Sequence, residues 1–360
     1  MEEIIEEEID NLLCHIASEW VNTPLDVSRF FNISSVSSLW RIISGERLKI
    51  GDPKLQDLMI YLQKFVLEFG SPVVSIFLNS SVKFGLIKQL GFTSIHQYAD
   101  KMFQFCNEYI EIHRKKPIDG DSPLTFIEAF LHKIQERKSP LDPLHGDRGI
   151  LNLQNTVLDL FMAGSDTTAT TLNWAMMYMV LYPDIQTKVR NELNAQIGFK
   201  KAKVADKNLT PYVEAVIHEI QRKSCIAPFG VFHNTSHPMK VGKYDIPKNT
   251  AIAPMLSEIM HDPEYFPEPE EFNPERYLSR DENGEKKFTP NPKVIPFGTG
   301  KRRCLGENLA RMSVYKFFTS LIQKYEIVSG QEEPILDEHS GGFILNPKPY
   351  KLKFMKIVSS

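Results

Sequence analysis

Apolar positions between Met1 and about Gly198 follow the period of a helix. Hydrophobic side chains recur there at spacings of three and four, which is typical of helices that pack one face against a core. The segments that we predict as packed helices are residues 2–13, 52–69, 96–115, 153–181, 184–197 and 210–223. The last of these begins at Thr210, whose hydroxyl can cap the helix, with Pro211 at the first helical position.

After Pro228 the pattern changes to short segments between turns rich in proline and glycine. Residues 233–250 alternate like a β-hairpin, and proline recurs too often in residues 262–277 for a regular helix. A helix is predicted again at residues 307–324, followed by a turn and a strand within residues 341–358. No repeat or linker divides the chain. We therefore expect a mainly α fold with small β-sheets, organised as a single domain over residues 1–360.

Composition excludes several classes of protein. With 360 residues, 42% of them hydrophobic and 24% charged, the chain is long enough to bury a large core. The net charge of -3 argues against a partner that is nucleic acid. The four cysteines are scattered without paired spacing, so we expect neither a disulfide framework nor a zinc site, and we expect a reducing compartment. The acidic first ten residues are unlike a signal peptide, and Asp166 and Asn173 make residues 161–182 a buried helix rather than a membrane span.

One cysteine lies in a loop whose residues favour a reactive thiolate. Residues 297–306 read FGTGKRRCLG and lead directly into the predicted helix at residues 307–324. The glycines allow the backbone to turn and to approach a flat group, and the neighbouring cations and helix start favour a charged sulfur. For an isolated cysteine, an inert core position is the better interpretation. A thiolate is also the axial ligand that pushes electron density onto haem iron.

A second unusual segment interrupts an apolar helix. Residues 163–168 (AGSDTT) place a glycine, an acid and two threonines where helix interiors avoid them. Thr167 can donate to the Ala163 carbonyl four residues earlier, and Gly164 leaves room for the helix to widen into a groove. Asp166 and Thr167 could then relay protons through water. A satisfied polar turn explains the six residues equally well.

The cysteine loop resembles the haem-binding motif of the cytochrome P450 superfamily, F-x-x-G-x-R-x-C-x-G. Phe297, Gly300, Arg302, Cys304 and Gly306 match that motif. The resemblance covers essentially all 360 residues and is strongest to the animal microsomal group that metabolises drugs and lipids. It implies the cytochrome P450 fold, haem b (heme b, iron protoporphyrin IX) as cofactor, and Cys304 as the ligand of the metal.

The resemblance also assigns roles to other residues. The residues that it implies for cofactor binding, besides Cys304, are Phe297, Gly298, Gly300, Arg302, Gly306, Ala163, Gly164 and His233. Arg302 and His233 would hold haem propionates, and Asp166 and Thr167 would be catalytic in proton delivery on the distal face.

A structural trio is implied as well. Glu219 and Arg222 lie one helical turn apart, and such pairs are usually solvated and worth roughly 0–1 kcal/mol. In the family such a pair is joined by an arginine from a later proline-rich segment, which is Arg276 here.

The implied activity is that of an oxidoreductase, a monooxygenase at the cytoplasmic face of the endoplasmic reticulum membrane. Electrons would come from NADPH through a separate NADPH–cytochrome reductase, with a cytochrome b-type protein as a further donor. Lys293, Lys301 and Arg303 suit docking of an acidic reductase, although a solvated basic turn explains them equally. Residues 69–92 are either buried or in contact with the membrane surface.

The substrate would be a lipophilic small molecule. Phe229, Phe343 and Ile344 promise an apolar pocket, although each is as readily a core residue. Two alternatives remain open, namely a relative that rearranges peroxides without a reductase and a truncated product without catalytic activity.

The beginning of the chain departs from the family. Members of this group start with a membrane anchor, a proline-rich hinge, a first sheet and a W-x-x-x-R helix, none of which appears in this sequence. We expect a chain that opens within the fold, from a partial gene model or an alternative start, and that binds haem weakly.

Overall fold

The chain folds into ten α-helices and eleven short strands within the described residues. The computed structural model describes residues 1–27, 30–48, 52–69, 94–115, 125–336, 339–340 and 343–357. The helices are α1 (Glu2–His15), α2 (Phe30–Ser44), α3 (Pro53–Phe69), α4 (Ser94–Lys115), α5 (Phe126–Glu136), α6 (Gly146–Leu181), α7 (Pro183–Gln196), α8 (Pro211–Ser224), α9 (Leu256–Met260) and α10 (Glu307–Lys324). The prediction of a mainly α fold with small β-sheets is confirmed.

The strands form small antiparallel sheets. They are β1 (Leu25–Asp26), β2 (His233–Asn234), β3 (Met239–Val241), β4 (Tyr244–Ile246), β5 (Ala251–Ile252), β6 (Leu278–Arg280), β7 (Lys286–Phe288), β8 (Tyr325–Ser329), β9 (His339–Ser340), β10 (Asn346–Pro347) and β11 (Lys351–Lys356). The largest sheet has the order β1-β11-β8, and the other pairs are β2 with β5, β3 with β4, β6 with β7, and β9 with β10. The predicted hairpin at residues 233–250 is thus a pair of nested antiparallel ladders.

Most helix boundaries agree with the periodicity, with three differences. α6 begins at Gly146, before the predicted start at residue 153. α8 begins at Pro211 as predicted, but the Thr210 hydroxyl donates to the Asp206 carbonyl at 3.2 Å and caps no helix amide. A π-helical turn, Ile16–Trp20, continues α1. Most of the segment at residues 69–92 lies outside the described residues.

Helix α6 connects two hydrophobic clusters. Its first half contributes Leu153, Val157 and Phe161 to a cluster around Trp40 that also includes side chains of α3 and α4. Its second half, from Ala169 onward, belongs to a cluster with α1, α8, α10 and the β1-β11-β8 sheet. The polar turn at residues 163–168 lies where the helix passes from one cluster to the other, and within it Ala163 is exposed while Ser165 is fully buried.

A buried lysine ties the first helix to the last. Lys316 on α10 is only 1% exposed and donates to Glu6 of α1 at 3.0 Å and to the Ala202 carbonyl at 2.9 Å. The Lys316 hydrogen bond is also the largest cause of the lowered pKa of Glu6. Among the helices of the described residues, none combines the length and the apolar character that a bilayer crossing requires.

Candidate active site

The cysteine loop turns on two glycines. Gly298 and Gly300 have φ angles of 68° and 71°, a left-handed conformation that favours glycine. The Cys304 amide donates to the Phe297 carbonyl at 2.9 Å, and the Arg303 amide donates to the Gly300 carbonyl at 3.2 Å. These two hydrogen bonds close the loop, and Cys304 lies at its end, just before α10 begins at Glu307.

The sulfur and the loop backbone are both accessible. Cys304 is an exposed free thiol; of the other three free cysteines, Cys14 is exposed, whereas Cys106 and Cys225 are buried. A Cβ built on Gly298 or Gly300 would meet no atom within 4 Å, and one built on Gly306 would lie 3.9 Å from the Cys304 sulfur. An exposed sulfur beside open backbone fits a flat cofactor held through a thiolate.

The cations of the loop are not equivalent. Arg303 and Arg311 both donate to Glu307, the latter at 2.8 Å, and the hydrogen bond from Arg303 is the largest cause of the lowered pKa of Glu307. Lys301 and Arg302 are exposed and form no ion pair with any described residue. Their charges are therefore the ones available near Cys304, while the charge of Arg303 is largely compensated.

A pocket lies beside the loop. Its volume is about 220 Å³, and its lining includes Phe297, Gly298, Arg303, Glu307 and Arg311. The Arg311 guanidinium lies 4.9 Å from the centre of the Phe297 ring, so the ring is held against α10 by a cation–π contact.

In the polar turn of α6, the predicted hydrogen bond of Thr167 is present, but the predicted widening of the helix at Gly164 is wrong. The Thr167 hydroxyl donates to the Ala163 carbonyl at 2.9 Å, as predicted, and Ala163 is exposed. The helix is continuous through the turn, however, and a Cβ on Gly164 would lie 2.3 Å from Leu39 Cδ2 of α2. Gly164 therefore permits close packing of α2 on α6 instead of local widening.

Two asparagines that sequence analysis missed hold the acid of this turn. Asn32 of α2 donates from Nδ2 to Asp166 Oδ1 at 3.1 Å, and Asn346 of β10 also hydrogen-bonds the carboxyl. Burial raises the pKa of Asp166, and the two amides lower it by less, so the net shift is upward. No motif signals either contact, because the partners are far apart in sequence.

The segments that carry the predicted pocket residues Phe229 and Ile344 meet beside α6. The Leu345 amide donates to the Ile226 carbonyl at 2.8 Å, and Trp174 Nε1 of α6 donates to the Leu345 carbonyl at 2.9 Å. Phe229 is 43% exposed, whereas Ile344 is buried at 8% exposure. The segments around Ile226 and Leu345 are thus joined to each other and to α6.

His233 lies apart from these contacts. It is exposed on β2, where it pairs with Ile252 of β5. Within the described part of the chain, no hydrogen bond or ion pair connects His233 with Arg302, and none connects the cysteine loop with the turn at residues 163–168. The propionate roles of His233 and Arg302 remain predictions.

The trio of Glu219, Arg222 and Arg276 is assembled, and its central pair is buried rather than solvated. Glu219 and Arg222 are both 0% exposed, and Arg222 donates twice to the carboxylate, at 2.7 Å and 2.8 Å. Arg276 donates at 3.2 Å and Tyr277 at 2.6 Å. Burial raises the pKa of Glu219, but the bonds from Arg222, Tyr277 and the Asn273 amide lower it overall.

The chain is similar to known proteins over nearly its whole length. The family model described as Cytochrome P450 matches residues 1–354. The chain is 34% identical over 365 residues to Cytochrome P450 2B19 of Mus musculus, which covers 99% of this chain and 71% of the relative. It is 31% identical over 360 residues to Cytochrome P450 2G1 of Rattus norvegicus, covering 99% of this chain and 70% of the relative.

A third relative extends the agreement to another mammal. Cytochrome P450 2B4 of Oryctolagus cuniculus is 34% identical over 340 residues, which is 92% of this chain and 66% of the relative. Because the family model spans nearly the whole chain, the match includes both the loop of Cys304 and the turn of Asp166. The chain belongs to the cytochrome P450 family of haem-thiolate monooxygenases.

Proposed function

We propose that the protein inserts one oxygen atom from O2 into a lipophilic small molecule such as a xenobiotic, a fatty acid or a steroid. Its electrons come from NADPH through a separate NADPH–cytochrome reductase. The observation that carries the proposal is the exposed Cys304 sulfur in a glycine-shaped loop beside Lys301 and Arg302. When bound, haem b supplies the activation of O2, which protein side chains cannot perform.

Different residues would contact different parts of the cofactor. Cys304 would bind the iron through its sulfur, and the open backbone at Gly298, Gly300 and Gly306 would allow close approach of the porphyrin. Arg302 and His233, which are both exposed, would pair with the propionates. Ala163 and Gly164 would contact the cofactor from α6, where Ala163 is exposed.

Asp166 and Thr167 deliver protons. A group transfers protons best when its pKa lies near the working pH, and the pKa of Asp166 is raised in that direction. The Thr167 hydroxyl, which donates to the Ala163 carbonyl at 2.9 Å, passes a proton onward by rotating away from that carbonyl.

Apolar side chains select the substrate. Phe229, Val231 and Phe232 are 43%, 69% and 50% exposed on the segment that leads to β2. They lie a few residues from Ile226, which is bonded to the 343–347 segment, and they offer a lipophilic surface there. This chemistry favours substrates with a large apolar part.

The proposed location is the cytoplasmic face of the endoplasmic reticulum membrane. There the basic surface of the cysteine loop meets an acidic reductase, and a cytochrome b-type protein is a further donor. Residues 70–92, which include the proposed contact with the membrane surface, lie outside the described residues.

The decisive experiment is the reduced carbon monoxide spectrum of the haem-loaded chain, with and without Cys304→Ser. A thiolate ligand moves the Soret band far to the red, so wild type should show the shifted band and Cys304→Ser should lose it. Cys14→Ser is the matched control, because Cys14 is the other exposed cysteine. A shifted band that survives in Cys304→Ser would overturn the proposal.

A further inference from the structure

Asp166 lies between two amide side chains that come from opposite ends of the chain. Asn32 of α2 donates to Oδ1 at 3.1 Å, and Asn346 of β10 binds the same carboxyl. An acid that relays protons is effective only when its oxygens are held in place, because proton transfer requires hydrogen-bond distances. The two amides therefore bear directly on the proposed role of Asp166.

Asn346 is anchored at a second point of the same helix. The Thr170 hydroxyl donates to Asn346 Oδ1 at 2.6 Å. Positions 166 and 170 lie one turn apart on one face of α6, so a single amide bridges them. The orientation of Asn346 is thereby fixed, with its oxygen toward Thr170 and its nitrogen toward Asp166.

The position of Asn32 destabilises the fold, because one of its side-chain polar atoms is unsatisfied. Its Oδ1 is buried and has no hydrogen-bond partner among the described residues, whereas its Nδ2 donates to Asp166. An unsatisfied buried acceptor destabilises the fold, and an apolar residue of the same shape would avoid that penalty. The contact with Asp166 is the feature of Asn32 that an apolar residue would lose.

Asn346 also belongs to the segment that carries the proposed substrate contacts. Phe343 and Ile344 precede it, and Leu345 is bonded to Ile226 at 2.8 Å and to Trp174 at 2.9 Å. A displacement of the 343–347 segment would carry Asn346 with it. The amide of Asn32, on α2, is independent of that segment.

We propose that Asn32 and Asn346 are positioning residues for Asp166, and that Asn346 makes the placement of this carboxyl depend on the substrate-contacting segment at residues 343–347. Substrate seated against that segment keeps Asn346 on Asp166 and so links occupancy to proton delivery. The inference rests on the proposed monooxygenase function.

The kinetic test compares Asn32→Leu with Asn346→Leu in dealkylation of an ethoxycoumarin by the full haem-loaded chain with reductase. Leucine keeps the shape of asparagine and removes the donor. We expect kcat to fall about tenfold in both variants. KM should stay unchanged in Asn32→Leu and rise several-fold in Asn346→Leu, because only Asn346 belongs to the substrate segment.

A rescue and a control separate positioning from general damage. Asn32→His places a ring N–H at a similar distance from the backbone and should recover most of kcat. Asn152→Leu removes a half-buried amide of α6, the helix of Asp166, which donates to the Pro143 carbonyl at 2.8 Å, and should leave kcat and KM unchanged. Equal losses of kcat in Asn152→Leu and Asn32→Leu would overturn the proposal.

Hydrogen exchange supplies a readout that does not require turnover. The Leu345 amide, bonded to Ile226, should exchange about tenfold faster in Asn346→Leu and at the wild-type rate in Asn32→Leu. Unchanged exchange in Asn346→Leu would overturn the link to the substrate segment.

If all variants show the shifted carbon monoxide band and keep wild-type kcat, the positioning proposal fails and the proposed function stands. If wild type lacks the band, the proposed function fails, and the exchange rates still decide whether Asn346 anchors the segment.

Discussion

At Asp166, burial and hydrogen bonding act on the same carboxyl in opposite directions. Burial raises its pKa more than the amides of Asn32 and Asn346 lower it. The folded chain therefore holds this proton to a higher pH than the unfolded chain does. The carboxyl that we propose for proton delivery therefore destabilises the fold at neutral pH, as is common at functional sites.

The stability contribution of Asp166 should depend on pH in a defined direction. It is complete below the ordinary pKa of 3.8 and is lost as pH rises through the raised value. The unfolding free energy of wild type minus that of Asp166→Asn should therefore fall as pH rises above 3.8. Urea unfolding measures this difference, Asn152→Ala should follow wild type at every pH, and a difference that grows with pH would contradict the assignment.

A contact between two residues can be predicted from the sequence when the two residues are close together along the chain. The turn at Gly298 and Gly300 and the bond from Thr167 to Ala163 involve neighbours in sequence, and both follow from residue types and spacing. The contact of Asn32 with Asp166 joins residues 134 positions apart, and no local pattern encodes it. The same limit explains why the burial of Glu219 and Arg222 was underestimated, since an exposed pair at this spacing has the same sequence.

At the scale of elements, α2 and α6 pack closely because Gly164 has no side chain. A Cβ on Gly164 would lie only 2.3 Å from Leu39 Cδ2, so the Leu39 side chain occupies the space that a larger residue would need. Three serines of α2, Ser34, Ser37 and Ser38, are also almost inaccessible, and the Ser37 hydroxyl donates to the Leu48 carbonyl at 3.1 Å. Helix propensity alone would disfavour both features, so packing decides here.

Gly164→Val should destabilise the chain by about 1–3 kcal/mol, because the added methyl groups overpack the contact with Leu39. Gly164→Ala should cost less, since alanine gains about 1 kcal/mol in helix propensity and the leucine end can shift. Thermal unfolding measures both. Leu39→Ala in the Gly164→Val background should recover stability, and a double variant no more stable than Gly164→Val would show that the strain lies elsewhere.

Helix α8 is attached to the proline-rich segment through one carboxylate. Glu219 accepts from Arg222, Arg276, Tyr277 and the Asn273 amide, while Arg222 also reaches the carbonyls of Met260 and Pro269. A segment without regular helix is thereby held by polar contacts instead of its own backbone ladder. Its order depends on the charge of Glu219.

Glu219→Gln should cost about 3–5 kcal/mol, because it leaves the buried guanidinium of Arg222 without a charged partner. Glu270→Gln is the matched control, since Glu270 is 82% exposed in its pair with Lys223 and should change stability by at most about 1 kcal/mol. Wild type should also lose stability as pH falls below the ordinary value of 4.5 through the lowered pKa of Glu219, and Glu219→Gln should lack that contribution. Equal losses in the two variants, measured by urea unfolding, would contradict the structural role.

At the scale of the whole molecule, a net charge of -3 coexists with a basic surface at the cysteine loop. Lys301 and Arg302 are exposed there without ion pairs among the described residues, while Arg303 is compensated by Glu307. The proposed attraction of an acidic reductase to this surface would therefore depend on Lys301 and Arg302 more than on Arg303.

Lys301→Glu should raise the KM for reductase several-fold at low ionic strength, and the effect should shrink as salt screens the charges. Lys240→Glu reverses a charge at a site on β3 that is 74% exposed and should leave that KM unchanged. Steady-state turnover at varied reductase concentration measures both. A KM for Lys301→Glu equal to that of wild type would remove the cysteine loop from the docking surface.

The bond between Lys316 and α1 has a consequence for the order of events on the ribosome. Glu6 is translated 310 positions before Lys316, the buried cation that it binds. At about 5–20 residues per second this delay is roughly 15–60 s. Until then α1 presents Ile5, Ile9 and Leu12, which the finished core covers, to the solvent or to a chaperone. Slowing translation ahead of Lys316 should thus prolong chaperone occupancy of the nascent chain.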